Sequence, residues 1–364
     1  MSNEPFPRVR EYAVDFHLEF GTGRVQGTVR VELEEPVRQC RLNSLGLEIH
    51  PMDPAVELEL RPADEELLVK LPKESASFSL EFSGSVAEKG LLGLYWSRYG
   101  EERIVACQAA ATCCRRFFPC IDRPDRRAVV RFTLTVAEGL EPIFNTPVVA
   151  ERSDNGRRTF EFAPTPSMAT YLVFLAVGRF DWLPLDGRRN RVRVAAPPGR
   201  GAAGEFALRH GAEILPALES YYGIPYPLPK LDLVAIPEFA FGAMENWGAI
   251  SFRDMRLLVD GETSARQKRE TLTTIAHEIA HQWFGNLVTM EWWTDIWLNE
   301  SFATFMEEKI VERLYPSLGI FDDFLLDWGS YARLGDSLET THPIHVPVHH
   351  PSEISEIFDE ISYG

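Results

Sequence analysis

His277-Glu278-Ile279-Ala280-His281 is followed, after eighteen residues, by Glu300. On a helix, two histidines four residues apart differ by about 40° of rotation and about 6 Å of rise, so both rings reach one ion. A carboxylate from a second helix completes three ligands and leaves a fourth tetrahedral position open. That is the pattern of a catalytic zinc rather than a structural one.

The surrounding stretch reads as a helix from Thr263 to Phe284, capped by Thr263 or Ser264 and ended by Gly285-Asn286. Leu272, Ile275, Ala276, Ile279, Ala280, Trp283 and Phe284 follow the i, i+3, i+4, i+7 pattern of an apolar stripe. Measured from Leu272, His277 and His281 fall at about 140° and 180° and Glu278 at about 240°, all off that stripe. Glu278 therefore stands beside the histidines, within reach of a water on the ion. Thr294 or Asp295 is expected to cap a second helix, with Glu300 in its second turn and Phe302, Phe305 and Met306 on its apolar side. A loop of about eight or nine residues from Gly285 suits two packed helices. A competing zinc class needs glycine at 284 and histidine at 287; Phe284 and Leu287 stand there instead.

Outward from this core, Gly242-Ala243-Met244-Glu245-Asn246 precedes the HEIAH segment, and Trp297-Leu298-Asn299 leads into Glu300. With Tyr363 near the end, these segments resemble the aminopeptidase N family of gluzincin zinc metallopeptidases, which includes the leukotriene hydrolase. The resemblance covers nearly the whole chain. Phe117-Phe118-Pro119-Cys120 with Asp122-Arg123-Pro124 looks like that family's N-terminal domain. Tyr226-Pro227 and Lys230-Leu231-Asp232 look like its catalytic domain.

The resemblance implies one zinc per chain on His277, His281 and Glu300, and Glu278 as the general base. It implies that Glu245 holds the substrate's free α-amino group and that the backbone of Gly242, Ala243 and Met244 pairs with the peptide. Tyr363 would stabilise the oxyanion. Gln108 stands where relatives carry the first residue of a Gln-x-Glu or Gln-x-Gln motif. Its last position is Ala110, which has no side-chain acceptor. Either Gln108 reaches the amine or Glu245 binds it alone, and an Ala110→Glu variant with unchanged KM would refute weakened anchoring. Arg123 replaces a glutamate common in relatives. Relatives also continue beyond the tyrosine, so a fragment that binds zinc and turns over slowly is the expectation here.

The chain has 364 residues, with 54 acidic against 37 basic side chains and a net charge of −17. That balance excludes the basic footprint of a nucleic-acid binder. Hydrophobic content of 45% and charged content of 25% are ordinary for a soluble globular protein of two domains. Met1 to Arg10 has no apolar core of a secretory signal, and no run is long enough for a membrane span. The cysteines Cys40, Cys107, Cys113, Cys114 and Cys120 lack metal spacing. Cys113 and Cys114 are expected to point to opposite faces of a strand, and all five read as buried reduced thiols in a cytoplasmic protein.

The fold expected is α+β. An all-β N-terminal domain (residues 1–185) is followed by a thermolysin-like zinc metallopeptidase catalytic domain (residues 186–364). Tyr12, Val14, Phe16, Leu18 and Phe20 alternate with polar residues, and the pattern resumes at Val25, Val29, Val31 and Leu33 after Gly21-Thr22-Gly23, a hairpin with one buried face. Similar runs stand at 77–82, 129–136, 158–162 and 170–176. Leu183 to Asn190 reads as a linker, followed by a strand from Arg191 to Ala195. A loop over 197–204, a helix from about Glu205 to Tyr222, a strand Leu231–Ile236 and a strand at the GAMEN segment complete the order. His342, His345, His349 and His350 lie in a proline-containing loop and read as structure at a cleft rim.

The activity read from these features is release of N-terminal residues from peptides with a free amine, without nucleic acid or membrane partners. The sequence leaves the oligomeric state open. Two rivals stand beside it: a non-peptide zinc hydrolase, and an inactive or weakly active peptide-binding form of the fold.

Overall fold

The computed structural model describes residues 6–184, 191–326, 328–339, 341–350, 353–354 and 357–363. The chain divides into two compact units, Met1–Arg179 and Phe180–Gly364.

The first unit is built on an eight-stranded sheet. Its centre is the strand Val9–Glu19, antiparallel to Arg24–Asn43 on one side and parallel to Val129–Ala137 on the other. The alternation explains the placement: Tyr12, Val14, Phe16 and Leu18 are buried, while Asp15, His17 and Glu19 are exposed. Each such large apolar side chain contributes roughly 1.5–3 kcal/mol on full burial. Gly23, at φ +73°, closes the hairpin, and a Cβ there would press within 3.2 Å of the Trp96 ring nitrogen. A second, four-stranded sheet holds Gly93–Tyr99, Glu102–Gln108, Leu175–Gly178 and Glu141–Phe144.

Two expectations for this unit are corrected. Residues 170–176 do not form one strand; a 3₁₀ turn at Thr170–Leu172 precedes the strand Leu175–Gly178. The buried Asn145 amide is the reason: it donates to Leu172 O and accepts from Phe174 N, diverting both groups from a ladder. Cys113 and Cys114 are not on a strand either. Cys113 precedes a 3₁₀ turn at Cys114–Arg116, anchored where Asp122 accepts from the Arg115 backbone. All five cysteines are free thiols, four of them buried and Cys113 half-buried.

The second unit holds a five-stranded mixed sheet in the order Asp181–Pro184, Val192–Ala196, Leu231–Ile236, Ala249–Arg253, Ala243–Met244. The three inner strands run parallel and the two outer ones antiparallel to their neighbours. Leu183 and Pro184, read from sequence as linker, belong to an edge strand paired with Val192–Ala196; the remainder of that stretch, 185–190, lies outside the described residues. The helix α1 (Glu205–Tyr222) lies on this sheet at Gly211, where an added Cβ would come within 3.1 Å of Leu233 and 3.2 Å of Val192. Three further helices carry or frame the site: α2 (Asp254–Leu257), α3 (Ala265–Ala280) and α4 (Trp297–Leu314). None of the described helices is long and apolar enough to cross a membrane.

Candidate metal centre and active site

Ser264 caps α3, its hydroxyl accepting from Gln267 N at 3.2 Å, while Thr263 turns back to Asp260. The helix ends at Ala280 rather than Phe284. Beyond it the chain folds back through Gly285, at φ +115°, where a side chain would crowd the Asn299 amide at 3.3 Å and His281 Nδ1 at 3.4 Å. The apolar stripe is buried as expected, except that Phe284 is half-buried. His277, Glu278 and His281 are buried as well, so the face opposite the stripe packs on protein rather than on solvent.

That packing partner is α4, and its start differs from expectation. Neither Thr294 nor Asp295 caps it: the Thr294 hydroxyl accepts from Val348 N and the Asp295 carboxylate pairs with His345. Glu300 falls in the first turn. Met306 is buried, but Phe302 and Phe305 are 38% and 48% exposed, so the buried face of α4 is instead built around Glu300, Ala303, Thr304, Ile310 and Val311.

The two helices bring three ligand-type groups together. His277 Nε2 and His281 Nε2 stand 3.0 Å apart, and Glu300 Oε2 lies 3.4 Å from the first and 3.5 Å from the second. Ligands about 2.0–2.1 Å from a tetrahedral zinc stand roughly 3.3–3.4 Å from one another. The triangle therefore has the size of one ion's coordination face. Both far ring nitrogens are already committed: His277 Nδ1 donates to Glu307 Oε2 at 2.6 Å and His281 Nδ1 to Phe284 O at 2.9 Å. That fixes the tautomers with Nε2 turned to the shared centre, the arrangement that orients metal-ligating imidazoles.

The electrostatics ask for a cation at the same point. Burial opposes charge on His281, yet the Glu245 and Glu300 carboxylates prevail and raise it to about 9. Burial likewise opposes charge on His277, and Glu307 and Glu300 drive it well above the ordinary range. Glu300 is held well below the usual carboxylate range by the two imidazoles against its own burial. Glu278 is pushed up to about 8 by burial, only partly offset by the histidines. Its Oε2 is buried with no hydrogen-bond partner among the described residues. The donor set and the excess of carboxylates fit a divalent cation, and an unengaged carboxylate oxygen beside it is what a proton acceptor requires.

Glu245 is buried, and burial raises its carboxyl too. It follows the two-residue strand Ala243–Met244, whose partners are Phe252 and Ser251. This strand ends the sheet order, and Gly242 beside it is exposed. Arg253 braces the approach: its backbone N–H donates to Gly242 O at 2.9 Å and its guanidinium to Phe239 O and Ala240 O. Gln108 lies in the first unit, at the end of the strand Glu102–Gln108. It is buried, with neither amide atom hydrogen-bonded among the described residues. The backbone of Tyr363 closes a short helix, Glu360–Tyr363, and its side chain lies outside the described residues. The preceding Ser362 carbonyl accepts from Ser301, the neighbour of Glu300.

Sequence reading missed Glu307, which orients His277. A signal existed: seven residues after Glu300 is about 20° from it on the same helix face. It also missed Gln282 and Asn286, whose amides both hold the Glu245 carbonyl; no spacing rule announces them.

A model of the peptidase M1 N-terminal domain matches residues 9–172, and one of the peptidase family M1 domain matches residues 206–364. The chain belongs to peptidase family M1. Among its M1 relatives, a leucyl aminopeptidase of Saccharolobus solfataricus is 42% identical over 98% of this chain and 46% of its own length. A probable aminopeptidase 1 of Sulfurisphaera tokodaii is 38% identical over 96% of this chain and 44% of its own. Aminopeptidase M1-D of Oryza sativa subsp. japonica is 40% identical over 93% of this chain and 40% of its own. The chain thus spans less than half the length of these relatives. As in the family, a β-rich N-terminal domain precedes an α+β catalytic domain.

Proposed function

We propose that the chain carries the catalytic centre of a zinc-dependent aminopeptidase that hydrolyses the first peptide bond of peptides with a free N-terminus. The observation that carries this reading is the triangle of His277 Nε2, His281 Nε2 and Glu300 Oε2, with both Nδ1 atoms tied off behind it. These three residues would hold the ion. Zinc, when bound, acts as a Lewis acid and brings the pKa of a water on it from about 16 toward 7.

The remaining work belongs to the chain's own groups. Glu278 accepts the proton of the attacking water at Oε2 and returns it to the leaving amine. Burial raises this carboxylate above the ordinary range, which favours its taking a proton. Glu245, buried beside the same centre, pairs with the substrate's α-ammonium, which is mostly charged at neutral pH because its pKa is near about 8. That contact counts the cut from the amine end. Gly242, Ala243 and Met244 offer the outer edge of a terminal strand for the peptide backbone. Tyr363 donates to the developing oxyanion in this reading. A cytoplasmic location accompanies the reading, since a reducing compartment preserves the five thiols.

The test is elemental analysis together with an assay on aminoacyl anilides. One zinc per chain and single-residue release support the reading. Metal retained in a Glu278→Gln variant with turnover lost assigns the base, whereas metal lost there means that Glu278 has another role.

A further inference from the structure

Gln282 directly follows His281, and its side chain is fully buried. The two hydrogens of its carboxamide nitrogen have two separate acceptors: Glu278 O at 3.0 Å and Glu245 O at 3.2 Å. The same Glu245 carbonyl accepts from Asn286 Nδ2 at 2.8 Å. Asn286 is itself tied to the end of α3, its backbone N–H donating to His281 O at 3.2 Å. Both lone pairs of one carbonyl are thus taken by amides projecting from the end of the metal helix.

The sheet holds the flanks of Glu245, pairing Met244 before it and tying Asn246 after it to Ala249 N and the Ser251 hydroxyl, but it makes no bond from Glu245 itself to α3. Arg253 grips the segment upstream, but it ties Phe239, Ala240 and Gly242 to the neighbouring strand rather than to α3. Only Gln282 and Asn286, among the described residues, bind the backbone of the amine anchor to the backbone that carries Glu278 and His281.

We propose that Gln282 and Asn286 are positioning residues that set the distance between the Glu245 carboxylate and the metal group, and so fix where a peptide's amine sits relative to the bond cut. This rests on the aminopeptidase reading. Neither side chain touches substrate. Each acts through the Glu245 main chain, so removing the donors lets the anchor drift while the ligands stay in place.

The experiment is calorimetric binding of a dipeptide amide and of its N-acetylated form to the zinc-loaded chain, with zinc content and Tm measured alongside. The variants are Gln282→Met, which keeps the shape and removes the donors, and Asn286→Ser, which shortens the reach. Wild type should prefer the free amine. Each variant should keep its zinc and lose about tenfold of that preference, the size of one net hydrogen bond. Where the chain turns over, each should also release some dipeptide alongside single residues. A lower Tm with an unchanged preference ratio in the folded variants means these amides are only structural and overturns the proposal. If wild type itself shows no preference for the free amine, the role of Glu245 fails first and the positioning claim falls with it. If Gln282→Met fails to fold, Asn286→Ser decides alone by the same ratio.

Discussion

Among the described residues, two trios have their metal-type ligand atoms within 4.8 Å of one another: His277, His281 and Glu300 in the second unit, and Cys114, Cys120 and Asp122 in the first. Both trios are buried. They differ in where the remaining valences go. In the histidine cluster the far ring nitrogens are tied off, the near ones converge, and the surrounding carboxylates demand positive charge. In the cysteine corner the demand is already met. Asp122 accepts from Arg115 Nε and backbone N and from the Thr170 hydroxyl. Burial pushes the Cys114 and Cys120 thiols up, so they keep their protons. Proximity of ligand atoms does not make a site; the accounting of protons and hydrogen bonds around them does.

The largest effect that could break this comparison is a ligand deletion in each trio. His281→Ala should abolish zinc binding by elemental analysis, while Cys120→Ser should leave the stoichiometry unchanged. Next comes Glu278→Gln, which should keep zinc and lose about 10²–10⁴-fold in kcat on an aminoacyl anilide. In the cysteine corner the sensitive residue is the carboxylate. Asp122→Ala takes the buried carboxylate from Arg115 Nε and leaves the guanidinium only the half-exposed Glu65, and urea unfolding should show a loss of about 3 kcal/mol with no change in metal content.

A smaller effect sharpens the first half of the contrast. Glu307→Gln removes the carboxylate that orients His277. Competition with a chelator should show zinc affinity lowered about 10–100-fold. The smallest is a pH effect at Cys40, another buried thiol of the first unit. Its thiol is pushed up to about 12 by burial. An unfolded thiol titrates near about 8.5, so the stability this raised value contributes is complete below that pH and is lost as pH rises through the folded value. Urea midpoints of wild type should therefore fall more steeply above about pH 8.5 than those of Cys40→Ala.

Much of this contrast is legible in the sequence. The i, i+4 spacing of His277 and His281 and a carboxylate on the next helix place three groups at one point, because helix geometry leaves little freedom over so short a span. The hairpin around Gly23 was equally plain, since Tyr12 to Leu18 alternate without a break. What failed shares one cause, tertiary contact overriding local preference. Thr294 and Asp295 look like caps, yet Val348 N and His345 claim their side chains from far along the chain. Residues 170–176 look like a strand, yet a buried amide from Asn145 takes their backbone groups. Gln282 and Asn286 carry no signal at all, because their partner is a main-chain carbonyl that any residue at 245 would supply.

The most direct test is a crystal of the zinc-loaded chain measured at the zinc absorption edge. The account predicts a single anomalous peak about 2.0–2.1 Å from Nε2 of His277, Nε2 of His281 and a carboxylate oxygen of Glu300. No peak there at saturating zinc, or a peak at Cys114 and Cys120 instead, would contradict it.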